Sequence, residues 1–197
     1  MHFIVITEPQ FTDNEAVIIA QLLHWGTDLV HLRKPEGSAE ELAKLIEAIP
    51  TAYHNRLVLH DHFDLAAHFA LHGLHLNRRN SVLPPNHKGT VSQSCHTLDE
   101  VKAYKTKCDY VFLSPVFNSI SKQGYASAFT PKALSEAKKQ GVIDQKVFAL
   151  GGITAVNIDK AKHYGFGGVA LLGDIWSRTA DKNFEQYVRK IIEICHT

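Results

Sequence analysis

Phe148-Ala149-Leu150-Gly151-Gly152-Ile153, a helical stretch over Asn157–Tyr164, and then Gly167-Gly168-Val169-Ala170-Leu171-Leu172-Gly173-Asp174-Ile175 decide the fold. An apolar run ending in glycines, a short amphipathic helix and a second apolar run ending in glycine make one strand–helix–strand unit. Its strands are buried on both faces, as in a parallel sheet. Working outward, strand-like runs recur at Phe3–Thr7, Leu29–Lys34, Arg56–Asp61, Gly73–Asn77, Thr90–His96, Tyr110–Pro115, Lys146–Ile153 and Gly168–Leu172. Stretches with helical period separate most of them: Glu15–Trp25, Ala39–Ile49, Phe63–Leu71, Leu98–Lys105, Pro131–Lys139, Asn157–Tyr164 and Phe184–Cys195. Ser38 with Glu41 reads as a capping box, and Thr130 before Pro131 as a cap followed by proline at the first helical position. Pro84 and Pro85 forbid a helix between the fourth and fifth strands.

Strands alternating with helices require parallel pairing through helical crossovers, and eight units with no ninth favour closure. The expectation is a single (β/α)8 TIM barrel domain over residues 1–197, closed around an apolar interior, with Gly151, Gly152 and Gly173 at one mouth. The active site of such a barrel lies in the loops at the strand C-termini. A net charge of +1 gives no electrostatic case for nucleic acid. No apolar run approaches the length of a membrane span. Cys95, Cys108 and Cys195 are scattered and odd in number, which reads as reduced thiols in a cytoplasmic protein. No nucleic-acid or membrane partner is expected, and a homodimer is compatible with the chain.

Two features point to a phosphorylated small molecule. Glycine-ended strands seven and eight let backbone N–H groups approach an anion, which puts Gly151, Gly152, Gly173 and Asp174 at a candidate phosphate site. The loop after strand six runs on for about 14 residues, longer than an ordinary connection. It carries Ser121 and Lys122, which suit an anionic ligand, and Ser94 is a further polar group at a strand end.

Several segments carry a family resemblance. They are Val30-His31-Leu32-Arg33, Leu59-His60-Asp61-His62-Phe63-Asp64-Leu65-Ala66, Gly73-Leu74-His75-Leu76, Ser94-Cys95-His96-Thr97-Leu98-Asp99-Glu100, Asp109-Tyr110-Val111-Phe112-Leu113-Ser114-Pro115-Val116-Phe117, Ser121-Lys122 and Gly151-Gly152-Ile153. In this order, over nearly the full length, the chain resembles the thiamin phosphate synthase family and its relative, the thiazole tautomerase. The resemblance implies either of two reactions. A synthase joins an aminomethyl-pyrimidine diphosphate to a thiazole phosphate, releasing pyrophosphate on Mg²⁺; a tautomerase moves one proton on a thiazole carboxylate phosphate and needs no cofactor.

The chain departs from the family where the diphosphate would sit. The family's Q-L-R-E-K is here His31-Leu32-Arg33-Lys34-Pro35, its N-D-R is His60-Asp61-His62, and its G-Q-E-D is Asn77-Arg78-Arg79-Asn80. Asp61 alone remains as a candidate Mg²⁺ ligand, relevant only to the synthase, with Lys34, Arg78 or Arg79 as replacements for the missing lysine. The resemblance places a general acid/base at His96 and makes Arg33 and Lys122 the accompanying catalytic cations. The incomplete Mg²⁺–pyrophosphate residues tilt the expectation towards tautomerase-type proton transfer, with genuine synthase activity as the alternative. A non-catalytic phosphate-ligand binder is a further alternative. Thirteen histidines add a rival of another class, in which His60 and His62, two apart on a strand, converge with His31 and His75 on Zn²⁺.

Overall fold

The computed structural model describes residues 1–118 and 129–197. Eight parallel strands form a closed barrel in sequence order: β1 (His2–Ile6), β2 (Leu29–Leu32), β3 (Leu57–Leu59), β4 (Gly73–Leu76), β5 (Thr90–Cys95), β6 (Tyr110–Leu113), β7 (Val147–Leu150) and β8 (Gly168–Leu171). Closure is made by β1 on β8, with His2 opposite Gly168 and Val5 opposite Leu171. Around the barrel run α1 (Glu15–Trp25), α2 (Ala39–Ala48), α3 (Leu65–His68), α4 (Leu98–Tyr104), α5 (Pro131–Lys139), α6 (Ile158–His163), α7 (Gly173–Trp176) and α8 (Phe184–His196). No described helix lies between β4 and β5, where Pro84 and Pro85 fall. Among the described residues no helix is long and apolar enough to cross a membrane.

Local chemistry explains the helix starts. Ser38 and Glu41 form the reciprocal capping box, as do Thr97 and Glu100. Thr130 Oγ1 accepts the Ala133 N–H at 3.2 Å, with Pro131 in the first turn. The α3 segment is shorter than its periodicity suggests: Ala70 takes a left-handed conformation (φ 50°), and only Leu65–His68 stay helical. Two elements have no counterpart in the sequence expectation, a 3₁₀ turn at Thr51–Arg56 and the one-turn α7.

Strand alternation sorts the core into two layers. One face of each strand packs on the helices, through residues such as Phe3, Val5, Val30, Leu32, Leu57 and Val169. The other face fills the barrel with Ile4, Ile6, Leu29, Val58, Tyr110, Phe112, Phe148 and Ala170. The interior is not wholly apolar, which corrects the sequence expectation. His31, His60, His75 and Ser92 are buried on the same inward face. They are tolerated because each takes part in hydrogen bonds inside the barrel, which offsets the desolvation of a buried polar group.

Candidate active site

The strand C-termini form a mouth with two differently built sides. On the side of β7 and β8, Gly151 and Gly152 both have positive φ, 92° and 66°. A Cβ on Gly152 would lie 2.4 Å from the Asn118 carbonyl oxygen, and one on Gly151 would lie 2.8 Å from Pro115 Cβ. Glycine is therefore demanded by packing on the segment after β6 as well as by backbone conformation. Leu150 pairs with Ala170 as the last residue of the ladder, so the Gly151–Gly152 turn and the start of α7 both follow that level. Among the described residues no acceptor binds the N–H groups of Gly152, Gly173 or Asp174, which leaves three backbone donors for an anion.

The Asp174 side chain has a different role. Its carboxylate is held by Arg178 at 3.3 Å and by the Tyr187 hydroxyl. An anion so placed cannot ligate phosphate, so the position offers its N–H alone. Gly173 also lines a cleft of about 460 Å³ between the loop after β1 and α7. Glu8 and Asp13 on that cleft wall make it a poor place for a phosphate, so the mouth is the better anion position.

The side of β2, β3 and β4 carries cations. Asp61 is buried just beyond β3. Its Oδ2 accepts the Lys34 N–H at 3.1 Å, and its Oδ1 accepts from Arg79 at 3.1 Å and Asn80 Nδ2 at 3.0 Å. Asn77 braces this loop, donating to the His60 carbonyl at 2.9 Å and accepting the Arg79 N–H at 3.0 Å. Arg33 lies half-buried nearby and makes no ion pair within 4.0 Å to any described carboxylate. Burial, and then the neighbouring Arg79 guanidinium, push its pKa down. Arg79 is thus paired with Asp61, while Arg33 stands at the mouth with no ion pair among the described residues.

Lys34 does not stand in for the missing lysine. Its ammonium is fully buried, bonded to Glu15 at 2.6 Å and to the Glu8 and Gln10 carbonyls at 2.9 and 2.7 Å. It pins the loop after β1 to α1 instead of facing a ligand. Nor does Asp61 fit a Mg²⁺ carried by the protein. It offers one carboxylate whose oxygens already accept a guanidinium, an amide and a backbone N–H, and Asn80 presents its amide nitrogen where the family has a second carboxylate.

On β5, Ser94 faces inward and its Oγ lies 2.7 Å from His75 Nε2. His96, just beyond the strand, is exposed, with Nδ1 3.1 Å from the Ser114 carbonyl oxygen. That contact places the Nδ1 proton on the carbonyl and makes Nε2 an acceptor with no partner among the described residues. Ser121 and Lys122 lie outside the described residues.

Below the mouth, His31, His60 and His75 converge, with candidate ligand nitrogens all within 4.8 Å of one another. His31 Nδ1 is 2.9 Å from His60 Nε2, and His31 Nε2 is 2.7 Å from the Tyr110 hydroxyl. Burial pushes all three imidazoles down, His75 to about 3, so they are neutral at ordinary pH. His62 is not among them. It lies beyond β3, has φ 53°, and its Nε2 lies 2.6 Å from the Gly37 carbonyl, so the two-apart argument does not hold for it. Tyr110 and Ser92, which orient this cluster, drew no attention in the sequence. Ser92 stands opposite His75 on β5 and Tyr110 opposite Ser92 on β6, a register that only the sheet pairing reveals.

Known proteins resemble this chain in sequence and in fold. A family profile described as thiamine monophosphate synthase matches residues 2–175. The thiamine-phosphate synthase of Clostridium tetani is 27% identical over 169 residues, covering 80% of this chain and 78% of the relative. A crystal structure of thiamine phosphate pyrophosphorylase from Bacteroides thetaiotaomicron is 41% identical, with a TM-score of 0.90 over 100% of this chain and 98% of that one. One from Pyrococcus furiosus shares the fold, at 18% identity and a TM-score of 0.77 over 99% and 95% of the two chains. This chain belongs to the thiamine monophosphate synthase family of enzymes.

Proposed function

We propose that the chain joins an aminomethyl-pyrimidine diphosphate to a thiazole phosphate and releases pyrophosphate. The observation that carries this reading is the pair of anion positions on one mouth. Arg33 and Arg79 stand at the ends of β2 and β4, and the N–H groups of Gly152, Gly173 and Asp174, which have no acceptor among the described residues, stand across the barrel at β7 and β8. A diphosphate on one substrate and a phosphate on the other would fill both, and a pair of guanidiniums suits the more highly charged diphosphate. In the reaction the thiazole supplies the electron pair of the new bond. The carbon–oxygen bond to the diphosphate breaks, and its electrons leave on pyrophosphate oxygen. Guanidiniums already in place offset that developing charge without reorganising. The names of the relatives support the same reading.

A second reading, proton transfer on a thiazole carboxylate phosphate, is favoured by His96, whose Nε2 is left as an acceptor by the Ser114 contact. In it Arg33 and Arg79 would face the substrate's single carboxylate in place of a diphosphate. Titration calorimetry separates the two: inorganic pyrophosphate and thiazole phosphate should bind together, with neither displacing the other. Mutual exclusion, with His96→Asn lowering tautomerisation by about 10²–10⁴-fold, would favour proton transfer instead.

A further inference from the structure

We propose that His31, His60 and His75 form a binding site for a transition-metal ion of the Zn²⁺ class inside the barrel, separate from the anion positions at its mouth. The three rings come from adjacent strands or their ends, β2, β3 and β4, and lie where barrels of this kind are usually filled by branched apolar side chains. Their candidate ligand nitrogens fall within 4.8 Å of one another, and the shortest separation, His31 Nδ1 to His60 Nε2, is 2.9 Å. Zinc–imidazole bonds of about 2.0–2.1 Å in a tetrahedron set ligand nitrogens about 3.3 Å apart. The shortest separation, 2.9 Å, and the outer bound, 4.8 Å, bracket that spacing.

Hydroxyls behind His75 and His31 turn one ring nitrogen of each inward, and metal binding would displace the proton that His31 Nδ1 and His60 Nε2 share at 2.9 Å. Ser92 Oγ donates to the Leu74 carbonyl at 3.3 Å, so it accepts from His75 Nδ1–H at 2.8 Å. His75 Nε2 then carries the lone pair and at present accepts from Ser94 Oγ. His31 is held from behind in the same way, by the Tyr110 hydroxyl on Nε2, which leaves Nδ1 facing His60. Metal-binding imidazoles ordinarily have an acceptor on the outer nitrogen, and here hydroxyl oxygens take that place. Burial keeps all three rings neutral, which is the ligand form. With imidazoles and no carboxylate in the set, the donors suit zinc, cobalt or nickel and not a hard ion such as Mg²⁺. Half-buried Ser94 marks the side on which a fourth ligand or water enters.

Cobalt titration of chelator-treated, full-length protein tests this site. One Co²⁺ per chain should bind with the intense visible bands of a tetrahedral ion, and Zn²⁺ should displace it. At a free concentration 100 times Kd the ion should raise the melting temperature by roughly 5–10 °C. His31→Gln should weaken binding on the order of a hundred-fold or more. Tyr110→Phe, which keeps the ring and removes only the supporting hydroxyl, should weaken it by about 10–100-fold. The exposed His68→Ala should change nothing. Absence of tetrahedral bands in the wild-type protein would overturn the proposal, and so would binding that survives both His31→Gln and Tyr110→Phe. The wild-type spectrum decides even if a variant does not fold.

Discussion

Acidification should destabilise this barrel through its interior. Burial pushes the His75 imidazole down to about 3, whereas in the unfolded chain a histidine titrates near its ordinary value of about 6.5. Between those two values the unfolded state holds a proton that the native state refuses. The stability tied to His75 is therefore complete above about pH 6.5 and falls as the pH drops, by up to about 1.4 kcal/mol per pH unit. From pH 6.5 to 5 that amounts to about 2 kcal/mol from His75 alone. His31 and His60 are pushed in the same direction, chiefly by burial and then by neighbouring histidines, so the wild-type loss at pH 5 should exceed this figure. A whole domain is stable by only about 5–15 kcal/mol, so the effect is large enough to read in urea titrations at pH 8, 7, 6 and 5 in a chelator. His75→Gln, which can still bond both Ser92 and Ser94, should show a shallower slope below pH 6, by about 1.4 kcal/mol per unit. An unfolding free energy that stays level between pH 7 and 5, or a variant with the wild-type slope, would refute this account of the interior.

Further outcomes follow from the two sides of the mouth and from the ion pair beneath it. Arg33→Ala should remove charge-assisted bonds to the diphosphate of about 1.5–3 kcal/mol, raising KM for that substrate about 10–100-fold while thiazole phosphate affinity stays the same. Gly152→Ala would force a Cβ to within 2.4 Å of the Asn118 carbonyl at φ 66°, and a loss of about 1–3 kcal/mol should appear in urea unfolding. Lys34→Met should cost about 3–5 kcal/mol because it strands the buried Glu15 carboxylate, and Glu15→Gln added to it should restore part of that loss.

The fold was legible because short apolar runs, glycine-ended strands and paired prolines all agree with eight crossover units. Boundaries were less so. Apolar continuity carried the seventh strand's expectation on to Ile153, but the ladder stops at Leu150 because Gly151 and Gly152 turn out of extended conformation. The site was legible residue by residue but not in its pairings. Lys34 and Arg79 look interchangeable as spare cations in the sequence, yet Glu15 on α1 captures one and Asp61 captures the other. Asp174 ends a glycine-rich turn as a phosphate site would suggest, and only the fold brings Arg178 and Tyr187 onto its carboxylate. The histidine cluster needed three strands to meet, and a spacing rule along one strand added His62 to the three that do.

The central claim is that one mouth holds two phosphorylated substrates and couples them. Pyrophosphate release by the purified protein, followed with the pyrimidine diphosphate alone, the thiazole phosphate alone and both together, tests it most directly. The account predicts release only with both substrates, in a one-to-one ratio with thiamin phosphate, and its collapse in Arg33→Ala at substrate concentrations below KM. Absence of pyrophosphate from the complete mixture, alongside tautomerisation of the thiazole carboxylate phosphate by the same preparation, would contradict it.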